Sequence, residues 1–184
     1  MKIKFGIKEV VAIGIGAALF VALTQVQIPL GFVPNTGMQP RAAVLAFMAA
    51  VFGPIVGCAV GFIGHTLGDA LFYGSVWWSW VIPDALFGLL IGLFSEKFQI
   101  KNGGFTVKPA ILFNIVQIAA NAVCWCVVAP LFDILIYAEP VNKVFTQGAT
   151  AFVADIIVVG IIGTLLAFGY TKISAKSSSL KKED

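Results

Sequence analysis

Residues 41–72 read RAAVLAFMAAVFGPIVGCAVGFIGHTLGDALF, and how this stretch is divided decides the fold. It is too long for one ordinary membrane-spanning helix, which needs about 20 apolar residues, and short for two. Phe52-Gly53-Pro54 sits in its middle. Proline lacks a backbone N–H and ends helices, and glycine supplies the turn. The stretch therefore reads as a hairpin, a short helix over 41–52 followed by a second over 54–72. The first would be only about 18 Å long. It spans a hydrocarbon core of about 30 Å only if the preceding loop dips into the protein.

Outward from this hairpin, clear apolar runs occupy 9–28, 76–94, 109–131 and 147–170. With the hairpin they make an all-α membrane protein of six transmembrane helices. The first run ends at Gln25, Gln27 and Pro29, before a loop over 31–37, and the polar segment 95–108 separates the fourth and fifth spans. With both termini cytoplasmic, Lys2, Lys4, Lys8, Lys97, Lys101, Lys108, Lys172, Lys176, Lys181 and Lys182 lie inside, and only Arg41 and Lys143 outside. Merging 41–72 into one span leaves eight cations inside and four outside at best. The positive-inside rule therefore favours six spans.

Composition agrees. The chain is 59% hydrophobic and 11% charged, against about 25% charged for a soluble domain. Residues 1–173 are expected to form one six-helix domain, and 174–184 a polar, lysine-rich, disordered cytoplasmic tail. The formal charge of +3 reflects cations flanking apolar runs, not a nucleic-acid surface. The lysine-rich start resembles a signal peptide, but apolar runs continue to Tyr170 and no small-residue cleavage site is evident. Cys58, Cys124 and Cys126 form neither a disulfide framework nor a zinc pattern.

Small residues recur at helix-packing spacing in Gly53, Gly57 and Gly61, in Gly88 and Gly92, and in Gly14, Ala18 and Ala22. Such rows let helices approach closely in lipid. Polar groups inside apolar runs are costly and mark candidate sites. Asn114, Gln117 and Asn121 share one face of the fifth span, and Trp125 extends it outward. The amides either bond neighbouring helices or, at Asn121 and Trp125, reach a ligand. His65 and Asp69 pair at i, i+4 and either shape a pocket or tie helix to loop. With Ser75 or Ser79 they could suggest a hydrolase triad, but no nucleophile elbow accompanies them. One His with scattered carboxylates is too little for a metal site. Tyr73, Trp77, Trp78 and Trp80 form either an interfacial belt or a stacking surface for a flat ligand. Asn35, Gln39 and Arg41 lie in the first outer loop and could close over such a ligand. Asp84 and Asp155 must face protein or water.

Val33-Pro-Asn-Thr36, Phe52-Gly-Pro54, Gly61-Phe-Ile-Gly-His65 with Asp69, and Tyr73-Gly-Ser-Val-Trp-Trp-Ser-Trp80 resemble a family grouped with the substrate-binding S components of energy-coupling factor (ECF) vitamin transporters. The resemblance covers about residues 8–170. It implies a six-helix protein of the bacterial cell membrane, multi-pass, with a vitamin pocket near the outer surface under the first loop. It implies as partners a transmembrane coupling protein and two cytoplasmic ABC ATPases, and it makes the chain a binding subunit rather than an enzyme. Gly14, Ala18 and Ala22 match the small-residue face that meets the coupling protein, with Ala12 and Gly16 as a competing pair. The family is linked with riboflavin or cobalamin, and the broad aromatic mouth favours the larger corrinoid. No cofactor is expected, and no Walker motif occurs, so ATP hydrolysis belongs to a partner. The alternatives are an intramembrane enzyme using His65 and Asp69, or a membrane scaffold with no ligand.

Overall fold

A computed structural model describes residues 6–30 and 36–180, with 176–180 as backbone only. It is almost wholly helical. In chain order the helices are α1 (Ile7–Ala22), α2 (Pro40–Phe52), α3 (Pro54–Phe72), α4 (Trp78–Gly92), α5 (Ser95–Phe98), α6 (Val107–Val123), α7 (Ala129–Tyr137), α8 (Val141–Val158) and α9 (Thr164–Leu180). One two-stranded ribbon joins α1 to α2, with β1 (Ile28–Pro29) antiparallel to β2 (Gly37–Met38). A π-helical turn over Cys124–Val128 links α6 to α7, and another over Val159–Gly163 links α8 to α9. The result is two long continuous helices, Val107–Tyr137 of 31 residues and Val141–Ala175 of 35.

The hairpin at 41–72 forms where the residues demand it. Gly53 stands at φ +97°, and its N–H closes α2 on the Ala49 carbonyl at 2.9 Å. Pro54 then starts α3, where its missing N–H costs nothing. α2 has only 13 residues, of which nine are buried: Arg41, Ala42, Ala43, Leu45, Ala46, Met48, Ala49, Ala50 and Val51. It is therefore sheathed by protein, packing against α1, α3, α4 and α8. A helix so enclosed need not match the lipid thickness.

Among the described residues, three helices can cross a membrane by length and composition: α3, α6–α7 and α8–α9. A fourth arises if α4 and Ser95–Asn102, bent by 55°, count as one span. α1 has 16 residues and α2 has 13, both short of about 20. α1 ends earlier than the apolar run predicts. Past Leu23 the chain turns into the ribbon, and the Thr24 hydroxyl donates to the Phe20 carbonyl at 3.1 Å. At the other end the helical backbone runs to Leu180, where the sequence reading places a disordered tail from Ser174. Neither glycine nor proline interrupts 170–180.

Two glycine rows form one seam. A Cβ on Gly88 would lie 2.2 Å from the Gly57 carbonyl oxygen, and one on Gly61 would lie 2.5 Å from that of Asp84. α3 and α4 thus touch backbone to backbone, which only glycine permits. The outer surface is apolar. Val107, Ile111, Ile115 and Ile118 on α6, and Ile161 and Leu165 near the start of α9, are exposed as lipid-facing residues are.

Candidate ligand-binding site

Gln27 and Gln39, Tyr73 and Ser75, and Glu139, from the α1–α2, α3–α4 and α7–α8 connections, meet around one space, whereas Glu9, Gly53, Lys101 and Asn102 line a separate one. The first is a cavity of about 300 Å³. It is built layer by layer from elements the sequence places there.

The floor comes from α2 and α3. Arg41, in the first turn of α2, is buried, and its guanidinium lies 5.0 Å from the centre of the Phe20 ring. His65 and Asp69 occupy one face of α3, as their i, i+4 spacing requires. His65 Nε2 is 3.4 Å from Asp69 Oδ1, and Nδ1 is 2.6 Å from Asp84 Oδ2 on α4. Asp69 Oδ2 accepts the Trp77 backbone N–H at 2.9 Å. The pair therefore lines the cavity and also ties helix to loop.

The aromatic wall rests on a residue the sequence reading passed over. Asp133, buried on α7, accepts from Trp77 Nε1 at 2.7 Å, from Trp80 Nε1 at 2.9 Å and from the Ser79 hydroxyl. Two indoles are thereby fixed by their polar edges, which leaves their faces for stacking. Trp77 also stacks on Tyr137 at 4.1 Å between ring centres, and Trp80 meets Trp125 edge-on at 5.4 Å. The signal was a carboxylate within the apolar run 127–137, just past the assumed end of the fifth span.

The rim carries Gln27, Gln39, Tyr73, Ser75, Glu139 and Lys143, with Gln147 buried on α8. Gln39 Nε2 donates to Gln27 Oε1 at 2.8 Å across the ribbon, and Lys143 pairs with Glu139 at 2.7 Å. Both signs of charge therefore surround the opening.

Of the sequence candidates, Gln39, Arg41, His65, Asp69, Tyr73, Trp77 and Trp80 converge on this cavity. Asn35 lies outside the described residues. Trp125 lines a small adjoining recess instead. Trp78 turns outward, its ring 6.1 Å from that of Phe62, and Asn121 is fully buried beside Gln117, to which it donates at 3.0 Å. The amide stripe also ties helices together. Asn114 donates to Thr164 Oγ1 at 3.0 Å and Gln117 to the Ile156 carbonyl at 3.3 Å, tying α6 to the last long helix. In α1, Ala12 and Gly16 are buried, and a Cβ on Gly16 would strike Val60 at 2.7 Å. Gly14, Ala18 and Ala22 are exposed. Among the described residues no group of three or more His, Cys, Asp or Glu is placed to hold a metal ion.

A helical bundle with long apolar helices and a polar, aromatic-walled cavity defines a membrane protein that binds a small molecule. Residues 4–172 match the family model described as ECF-type riboflavin transporter, S component, and the chain belongs to that family. It is similar to a UPF0397 protein of Exiguobacterium sp., 52% identical over 180 residues covering 97% of this chain and 98% of that one. UPF0397 proteins of Lactobacillus gasseri and Streptococcus gordonii are 50% and 52% identical, each covering 96% of its own length and 96% and 97% of this chain. The protein is thus a multi-pass membrane protein and the substrate-binding subunit of an ECF transporter, not an enzyme. The intramembrane-enzyme alternative falls with that membership.

Proposed function

We propose that the chain captures a flat, riboflavin-sized vitamin in the 300 Å³ cavity, from the outer side of the membrane. The observation that carries this reading is the wall of Trp77 and Trp80, held edge-on by Asp133 above the floor of Arg41, His65 and Asp69. Indole faces stack on a planar ring, and the polar floor orients it. Small-molecule cavities run from about 300 to 1,000 Å³, so this one suits a compact ligand better than a bulky corrinoid. The riboflavin in the family's description points the same way.

Six spans with both termini cytoplasmic are part of the same reading. The enclosure of α2 within the bundle supports counting it as a span despite its length. Lys101 lies near Lys8 and lines a space separate from the cavity, which supports an outward-facing site. The loaded subunit then delivers its vitamin with a transmembrane coupling protein and two ABC ATPases. The exposed row Gly14, Ala18 and Ala22 is the face offered to the coupling protein.

Mass spectrometry of the purified subunit tests the substrate. A flavin should co-purify in near-stoichiometric amount. A corrinoid in its place would restore the larger-ligand reading, and an empty protein that ignores both would rule out a flavin and a corrinoid as its substrate.

A further inference from the structure

A recess of about 30 Å³ adjoins the cavity where α2, α4, the first π-helical turn and α8 converge. Gln39, Arg41 and Trp80 line both spaces. Arg41 and Trp125, at 9% and 4% exposure, bring to the recess Arg41 Nη1, which lacks a hydrogen-bond partner, and Trp125 Nε1, whose hydrogen-bonding neighbour is Asp155. Both nitrogens only donate. A buried donor left unpaired is costly, so an acceptor is called for at Arg41 Nη1. A void needs about 10–15 Å³ to hold one water, so a recess of 30 Å³ admits a carbonyl group but no ring. Two carboxylates share it. Asp84 is engaged by His65 at 2.6 Å, and Asp155 lines the recess from α8.

From this geometry we infer that the recess receives the polar edge of the ligand's ring. A ring carbonyl accepts from Arg41 Nη1 and Trp125 Nε1, and a neighbouring ring N–H donates to Asp155 in place of Trp125. The ligand class is a heterocycle with a lactam or imide edge, its body held in the cavity against Trp77 and Trp80. The inference rests on the cavity being the vitamin site. The rival arrangement is an ordered water in the recess with Asp155 taking the Trp125 N–H, in which case the ring edge has no influence on binding.

The test titrates purified full-length protein with riboflavin and with 3-methylriboflavin, in which a methyl group replaces the imide N–H. Riboflavin should bind wild type at least about tenfold more tightly than the methylated probe. Trp125→Phe keeps the ring but removes the donor, and should weaken riboflavin by about tenfold with thermal unfolding unchanged. Equal affinity of the two flavins for wild type overturns the inference, whatever the variant does. Undiminished riboflavin binding by a folded Trp125→Phe overturns the carbonyl contact. If riboflavin fails to bind wild type at all, the vitamin reading falls, and this inference with it.

Discussion

At the scale of single residues, Asp133 organises the site without belonging to any motif. It gathers three donors, from Trp77, Ser79 and Trp80, more than fifty positions earlier in the chain. Asp133→Ala leaves these donors without their acceptor. Unpaired buried donors cost about 1–3 kcal/mol each, so we expect a loss of about 2 kcal/mol or more, seen as a lower unfolding temperature in detergent. Vitamin affinity should fall with it, because the indoles lose their fixed edge. A variant with wild-type stability would mean that the carboxylate is incidental. The tryptophan cluster was legible in the sequence because three indoles in four residues exceed what an interfacial belt position needs. Its partner was not, because pairing between distant positions leaves no local trace. Trp77 and Trp78 show the same limit. Side by side in sequence, they are turned by the helix start toward the cavity and toward Phe62 respectively.

At the scale of elements, glycine position decides what each helix does. Gly88→Ala drives a Cβ to 2.2 Å from the Gly57 carbonyl oxygen, so the α3–α4 seam must open. Overpacking of this kind costs about 1–3 kcal/mol. Gly14→Ala meets nothing within 4 Å and lies in the interior of α1. There alanine is favoured over glycine by about 0.8–1 kcal/mol, so the isolated subunit should hold or gain stability. Thermal unfolding of both variants side by side checks the contrast, and equal behaviour would contradict it. Ala18 is exposed on the same face as Gly14 and Ala22. Ala18→Leu should therefore block assembly with the coupling protein, measured by co-purification, while leaving ligand binding by the subunit nearly intact. Loss of both together would mean that the row packs internally. The hairpin break was readable because Gly53 and Pro54 act through their own backbone chemistry. The choice between the two rows of α1 was not, because Ala12 and Gly16 differ from Gly14 and Ala18 only in what packs against them.

At the scale of the molecule, our proposal places the cavity on the outer side and Lys101 and Asn102, which line a separate space, on the cytoplasmic side. Single cysteines introduced at Asn102 and Gly74, in a background lacking Cys58, Cys124 and Cys126, should label from opposite sides of the membrane. Asn102 should react only from the cytoplasm and Gly74 only from outside, and the reverse would invert the protein. The all-helical class and the helix order were legible from apolar runs and charge placement, since both are read locally along the chain. The size of the cavity was not, because it depends on how α2, α4, α7 and α8 close around it. The aromatic mouth suggested a corrinoid, and the proposed compact ring rests on the space of about 300 Å³. We propose that this space binds a flat vitamin against Trp77 and Trp80. The most direct test is equilibrium titration of the purified subunit with riboflavin and with cobalamin, repeated on Trp80→Ala. We expect one riboflavin per chain, no cobalamin binding, and a several-fold or greater loss of riboflavin affinity when the Trp80 ring is removed. Cobalamin binding without riboflavin binding, or riboflavin affinity indifferent to Trp80, would contradict this proposal.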